Sequence, residues 1–269
     1  MKISISTLST AYGLTPEALR YYEEKGLLTP ERAGSGGFRR FSTVDVQIMG
    51  IIKSLQRQGF SLEEIRRVML EGCTLDELIA LMDEKRSQLT EQAALTHAIC
   101  SRMTSCTDLL RDHERLLMKP RLSRGVAAYL IAFDSVAQLW ENVPKMPILR
   151  DLIDALPLSS YCSIIPLEQL KGGSKEKRTG ICVPAEFAAF IHSDLTQMTM
   201  SAGPRSVRML FDVRPPKSST IDHVVETMTT YMRENGHVPV SDGYTRQYSW
   251  HVNEHGERRQ FSELIVPIM

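Results

Sequence analysis

An excess of charge of either sign is missing from this sequence: 32 lysines and arginines face 32 aspartates and glutamates over 269 residues. No global electrostatic pull toward nucleic acid or a membrane surface follows, so any such footprint has to be local. Long apolar runs are missing as well. No window approaches the roughly 20 apolar residues of a membrane span, and Lys2 is not followed by the apolar stretch of a signal peptide. A cytoplasmic location, away from membranes, is expected. Cysteine is sparse and odd in number: Cys73, Cys100, Cys106, Cys162 and Cys182 are widely spread, which argues against a disulfide scaffold and for free thiols. No phosphate-binding loop or metal-ligand pair stands out. His192-Ser193-Asp194 has triad residue types, but adjacent positions cannot by themselves form a triad. No catalytic residue, cofactor or metal is therefore expected. The apolar content suffices for ordinary cores in one or two domains.

What is present is organised around Thr15 to Gly26, which reads as a short, externally docked helix. Thr15 is a good N-cap, Pro16 fits the first helical position, and Gly26 supplies a left-handed stop. Leu19 and Tyr22 share an inward face, while Glu17, Arg20 and Tyr21 lie nearer solvent. Upstream, Ile3 and Ile5 alternate with serines as a short strand, and Ser6 caps a first helix that Gly13 breaks. Helix, glycine turn, helix is the helix-turn-helix arrangement. Downstream, Ala33-Gly34-Ser35-Gly36-Gly37 reads as a hairpin tip running into the strand Phe38-Arg39-Arg40-Phe41, a wing able to lie along a phosphate backbone.

Three further helices announce themselves by Ser42 with Asp45, Ser61 with Glu64 and Thr74 with Glu77. The last carries Leu75, Met82, Leu89, Thr96, Met103, Leu110 and Leu117 at heptad spacing and runs to Leu117 before Lys119-Pro120. A coiled coil of that length implies a second copy of the chain. Beyond it, strands are predicted at Val126 to Phe133, Tyr161 to Pro166, Arg178 to Val183, Val207 to Val213, Tyr244 to Val252 and Phe261 to Ile268. Helices are predicted over Ser135 to Leu156 and Thr220 to Asn235, with a shorter one near Pro184 to His192. The fold class is α+β: a winged helix-turn-helix over 1–73, a dimerisation helix over 74–118, and a duplicated strand-helix-strand-strand domain over 121–269.

Three motifs now stand in order: Leu19-Arg20-Tyr21-Tyr22-Glu23 with Gly26-Leu27, Gly37-Phe38-Arg39-Arg40-Phe41, and Gly59-Phe60-Ser61-Leu62-Glu63-Glu64-Ile65. In these the sequence resembles the MerR family of bacterial transcription regulators over roughly residues 1–118. The resemblance implies a homodimer joined by an antiparallel coiled coil. It implies binding to a near-palindrome in double-stranded promoter DNA and, with effector bound, distortion of an over-long spacer so that both promoter elements face RNA polymerase. It makes Thr15, Glu17, Arg20, Tyr22, Arg39 and Arg40 the candidate DNA-binding set. Glu17 replaces a residue that is basic in many relatives. It either accepts from a cytosine amino group or complements the helix N-terminus. Phe41 replaces a frequent tyrosine and is assigned to core packing.

The second domain resembles the GyrI-like drug-binding fold, most closely at Phe261 to Ile268, where that family has a glutamate in its final strand. Strand alternation puts Tyr244, Tyr248, Trp250 and Val252 on one face, and Phe261, Glu263 and Ile265 on a face of the next. A carboxylate among aromatic rings suits a lipophilic cation, so Glu263, Tyr244, Tyr248, Trp250 and Phe261 are ligand-binding candidates, with Trp140 and Tyr161 bordering the pocket. The competing readings are core packing for Tyr248 and Trp250 and, for Glu263, a surface carboxylate or a salt bridge to Arg258 or Arg259. Ligand hydrolysis with Glu263 as base, or ligand sequestration, is the alternative function. Metal sensing through Cys100 and Cys106 lacks a short cysteine-rich loop.

Overall fold

The computed structural model describes residues 2–33, 37–173, 178–213 and 220–269. Contacts divide the chain into two compact units, Met1–Ala94 and Leu95–Met269.

The first unit opens on β1 (Ile3–Ser4) and α1 (Ile5–Tyr12). Ser4, not Ser6, caps α1: its hydroxyl accepts from the Thr7 amide, so the predicted strand stops before Ile5. Gly13 ends α1 at φ 62, and α2 (Pro16–Glu24) starts on the Thr15 cap with Pro16 in the first turn. Its exit uses Gly26 at φ 75, which brings the Leu27 amide to the Tyr22 carbonyl at 2.9 Å. The strands β2 (Glu31–Ala33) and β3 (Phe38–Phe41) pair antiparallel with Arg32 opposite Arg39, and β1 joins the far side of β3. Gly34, Ser35 and Gly36 of the predicted hairpin tip lie outside the described residues. Full capping boxes open α3 (Thr43–Arg57) and α4 (Leu62–Arg66), and α4 passes into a π turn at Arg67–Glu71 that Gly72 ends. Leu8, Leu19, Phe41, Ile52 and Ile65 form the core on which these elements close.

Thr74 and Glu77 exchange capping hydrogen bonds of 2.8 and 3.2 Å at the start of α5 (Leu75–Arg111). The helix stops at Arg111, short of the predicted run to Leu117. Asp112, at φ −90 and ψ 9, leaves the helical region, and α6 (His113–Leu116) is a separate short turn.

In the second unit the order is β4 (Arg121–Arg124), β5 (Ala127–Phe133), α7 (Val136–Asn142), α8 (Pro147–Asp154), β6 (Ser160–Ile165), α9 (Leu167–Leu170) and β7 (Arg178–Pro184). Then come β8 (Thr199–Ala202), β9 (Arg205–Val213), α10 (Thr220–Glu234), β10 (Gly243–Val252) and β11 (Arg258–Ile268). One eight-stranded antiparallel sheet has the order β4-β9-β11-β10-β6-β7-β5-β8. The single helix predicted over 135–156 is two, because Pro144 and Pro147 interrupt it and Pro147 starts α8. The short helix predicted near 184–192 is a 3-10 segment, Ala185–Phe190. The two outermost strands, β4 and β8, were not expected; each is four residues long, too short to show a period. Ile148, Leu149 and Leu152 pack α8 into one core, and Val224 and Met228 pack α10 into another.

Asp45 is buried in the first unit and accepts from the Ser42 amide at 2.7 Å, the Ser42 hydroxyl at 2.8 Å and the Thr29 amide at 3.1 Å. It therefore fixes both the start of α3 and the loop leaving α2. Asp45→Ala is expected to destabilise α3 by about 2–4 kcal/mol against about 1 kcal/mol for Ser42→Ala, read as faster native-state amide exchange in α3. Equal effects would mean that the Thr29 contact contributes nothing.

Candidate nucleic-acid interface and effector cavity

The α2 helix turns Glu17, Arg20 and Tyr21 outward. Glu17 lies in the first turn and meets Arg20 Nη1 at 3.3 Å, so the i, i+3 pair holds the arginine across the exposed face. Thr15 Oγ1 accepts from the Ala18 amide at 3.2 Å and keeps its own proton for an outside acceptor. Tyr22 departs from the expected set. Its residue is only 6% exposed, and its Oη accepts from Gln56 Nε2 at 3.1 Å, so it packs the core and is not an outward-facing contact. The exposed phenol is Tyr21, with Lys25 Nζ 5.3 Å from its ring centre.

On the wing, Arg39 and Arg32 sit opposite each other, and both pair with Glu23 of α2, Arg32 at 3.1 Å. Burial raises the Glu23 carboxyl, but the hydrogen bonds and charges of Arg39 and Arg32 outweigh it and hold the group below its ordinary value. Folding gains from this clamp above the ordinary carboxylate pKa, and the gain is lost as pH falls through the depressed one. Arg39 is thus a tie between wing and helix. Arg40 is exposed, with no side-chain ion pair among the described residues. Strand alternation also exposes Phe38, at 70%, and buries Phe41 as expected.

The second unit places the candidate ligand residues unevenly. Glu263 has no exposed surface. Arg121 pairs with its Oε1, Arg208 lies 3.9 Å from its Oε2, and Tyr248 Oη donates to Oε2 at 2.8 Å. The partners of the competing salt-bridge reading go elsewhere: Arg259 pairs with Asp212, and Arg258 lies 5.8 Å from the Trp250 ring centre. Burial first, then the Glu263 charge, push the Tyr248 phenol well above its ordinary value, so it remains a proton donor.

The alternation expected along β10 fails at a register shift between Gln247 and Ser249. The extra residue, Tyr248, changes the phase of the remainder of the strand. His251, not Trp250, stacks on Phe261 at 5.9 Å, and His113 meets the same ring edge-on at 5.4 Å. Tyr244 packs with Cys162, Cys182 and Ile265 inside the sheet. A cavity of about 470 Å³ is lined by residues including Arg102, Leu156, Tyr161, Tyr248, Ser249 and Trp250. Tyr161, Tyr248 and Trp250 therefore border one space, whereas Glu263, Tyr244 and Phe261 are not among its lining residues. Trp140 stands against Tyr161, ring centres 6.1 Å apart. Arg102 was missed: an arginine on a long polar helix carries no burial signal in sequence.

The five cysteines are free. Among the described residues, no group of three or more histidine, cysteine, aspartate or glutamate side chains is arranged to hold a metal, and no helix is long and apolar enough to cross a membrane. Ser193 donates to Asp151 at 2.5 Å and Asp194 accepts from Thr196 at 2.9 Å, so neither is held toward His192.

A capped helix-turn-helix followed by an arginine-bearing two-stranded wing defines the winged helix-turn-helix class. Residues 3–72 match the family described as MerR HTH family regulatory protein, and residues 46–106 match MerR, DNA binding. The uncharacterized HTH-type transcriptional regulator YyaN of Bacillus subtilis is 37% identical over 87 residues, 32% of this chain and 62% of its own length. The mercuric resistance operon regulatory protein of Serratia marcescens is 30% identical over 110 residues, 39% of this chain and 76% of its own length. A MerR-family transcriptional regulator from Bacillus cereus, known as a crystal structure, is 27% identical, with 43% of this chain and 87% of that one covered at a TM-score of 0.38. The chain belongs to the MerR HTH family of transcription regulators. It spans a little under two thirds of the Bacillus subtilis relative, 62%.

Glu263→Gln leaves Arg121 and Arg208 without their shared counter-charge. It is expected to destabilise the second unit by about 3–5 kcal/mol, measured by urea unfolding with Trp140 and Trp250 fluorescence, both tryptophans lying in that unit. A loss below about 1 kcal/mol would mean that water already screens the cluster.

Proposed function

We propose that this chain is an effector-responsive transcription regulator that binds double-stranded promoter DNA as a homodimer. Residues 1–73 read DNA, residues 74–118 dimerise, and residues 121–269 form a GyrI-like effector-binding domain. The observation that carries the DNA reading is the exposure of Arg20 on a capped helix and of Arg40 on the wing, in a chain of this family. The dimer reading rests on α5, where Leu75, Met82, Leu89 and Met103 repeat at heptad spacing with their side chains exposed. A second copy covers such a seam. The order β9, α10, β10, β11 in 205–268, and a similar order in 127–184 in which α7 and α8 stand for the one helix and the short α9 separates β6 from β7, support the effector domain.

Effector binding shifts the orientation of the two readers, and the energies of deforming an over-long promoter spacer toward RNA polymerase differ between the two states. The effector is a lipophilic small molecule. The cation expected from the sequence finds no free carboxylate at Glu263, whose charge is already matched by Arg121 and Arg208. Ligand hydrolysis is the weaker reading for the same reason, since both Glu263 oxygens are held.

Selection of duplexes from a randomised pool by the full-length protein is expected to enrich an inverted repeat; a pool that stays random would overturn the regulator reading. On the selected duplex, Arg40→Ala should weaken binding to all sequences alike and lower the slope of log K against log salt by about 1. Arg39→Ala, which releases the Glu23 clamp, should change the slope less and the sequence preference more. Unchanged slopes in both would remove the wing from the interface.

A further inference from the structure

Arg102 is a buried cation in the second unit that effector control of DNA binding leaves unexplained. It is 4% exposed, its Nη2 donates to the Gln247 carbonyl at 2.8 Å, and its guanidinium lies 4.7 Å from the centre of the Tyr248 ring. Its Nη1 is occluded from water and has no hydrogen-bond partner among the described residues, and the same is true of the Ser249 hydroxyl. A buried donor left without a partner is costly, and more so when it is charged. Arg102 and Ser249 both line the cavity beside Tyr161, Leu156 and Trp250, and a side-chain shift that opens these two donors to that space would give them a partner.

The surroundings carry the same sign. Arg246 lies 5.9 Å from the centre of the same Tyr248 ring. The Tyr248 hydroxyl meets Glu263, which Arg121 and Arg208 already share. Four arginines thus gather around one carboxylate and one neutral phenol. Burial and the Arg246 charge both press on the Arg102 guanidinium, which stays protonated regardless because arginine does not deprotonate in proteins.

Resting on the reading of this unit as an effector domain, we propose that the cavity binds an amphipathic organic anion, an aromatic carboxylate. Its carboxylate accepts from Arg102 Nη1 and the Ser249 hydroxyl, and its apolar body lies among Tyr161, Leu156, Tyr248 and Trp250. Arginine suits this task because its planar donor fork matches a carboxylate. A volume of about 470 Å³ lies within the range of small-molecule sites. A lipophilic cation is disfavoured by the same arginines that attract the anion.

The test uses the full-length protein and three probes of one shape: naphthoate, neutral naphthamide and cationic naphthylmethylammonium, titrated by calorimetry. Naphthoate is expected to bind at least about tenfold more tightly than the amide, and the ammonium compound more weakly than both. Arg102→Met should reduce naphthoate affinity by about 10- to 100-fold while leaving the amide unchanged. Should that variant fail to fold, Leu156→Trp, at a partly exposed lining position, fills the cavity and should abolish naphthoate binding. An ammonium probe that binds as tightly as naphthoate would overturn the proposal. So would equal losses for carboxylate and amide in Arg102→Met, or unchanged naphthoate affinity in Leu156→Trp. DNA affinity measured in parallel separates the two readings. Naphthoate binding that depends on Arg102 but leaves DNA affinity unchanged upholds the site and overturns effector control. A protein that selects its inverted repeat but ignores naphthoate keeps the regulator and overturns this site.

Discussion

The second unit depends on how one carboxylate is neutralised. Glu263 stands on β11 without exposed surface, and a buried ion costs several kcal/mol unless matched where it stands. Its partners are Arg121 on β4, Arg208 on β9 and Tyr248 on β10, and β4-β9-β11-β10 are neighbours in the sheet. One charge therefore ties four strands in register. A one-residue slip in any of them would turn its partner to the other face and strand the charge. The register shift at Tyr248 belongs to the same arrangement: the extra residue carries the phenol to Glu263, and the change of phase beyond it sends His251 onto Phe261 and leaves Trp250 61% exposed.

The first unit uses carboxylates the same way nearer the surface. Glu23 ties Arg32 and Arg39 of the wing to α2, and Asp45 ties the loop after α2 to the start of α3. Helix and wing are held in one geometry by ionic contacts, and Arg20 and Arg40 are carried on that frame. A zero net charge is compatible with this because the acids do the positioning and the outward arginines supply the local field.

Local chemistry was legible in the sequence and non-local charge was not. The caps at Thr15, Ser42, Ser61 and Thr74 and the stops at Gly13, Gly26, Gly59 and Gly72 could be read because each depends on hydrogen bonds within a few residues. The first cap was misplaced because Ser4 and Ser6 offer the same hydroxyl, and nothing local chooses between them. At Tyr22 two readings conflicted. Helical spacing put it inside and family resemblance put it on DNA; spacing gave the position the structure has. Pro144 and Pro147 mark the break between α7 and α8 within the stretch predicted as one helix. The strand shift at Tyr248 and the burial of Arg102 left no sequence signal, since each depends on pairing outside its own element, with β11 in one case and with the Gln247 carbonyl in the other.

The sign of a ligand site follows from a local charge count rather than from a single conspicuous acid. Read alone, Glu263 among aromatic rings selects a cation. With Arg121, Arg208, Arg246 and Arg102 placed around Tyr248, the same acid becomes an internal counter-ion, and the unmatched charge is positive. If the proposed anion binds there, Arg102 also offers a route to regulation, because it is carried by α5, the helix that bears the heptad seam. An effector can shift an equilibrium only by its differential affinity for two states, and an anion that engages Arg102 in one of them acts directly on the helix bearing the heptad seam.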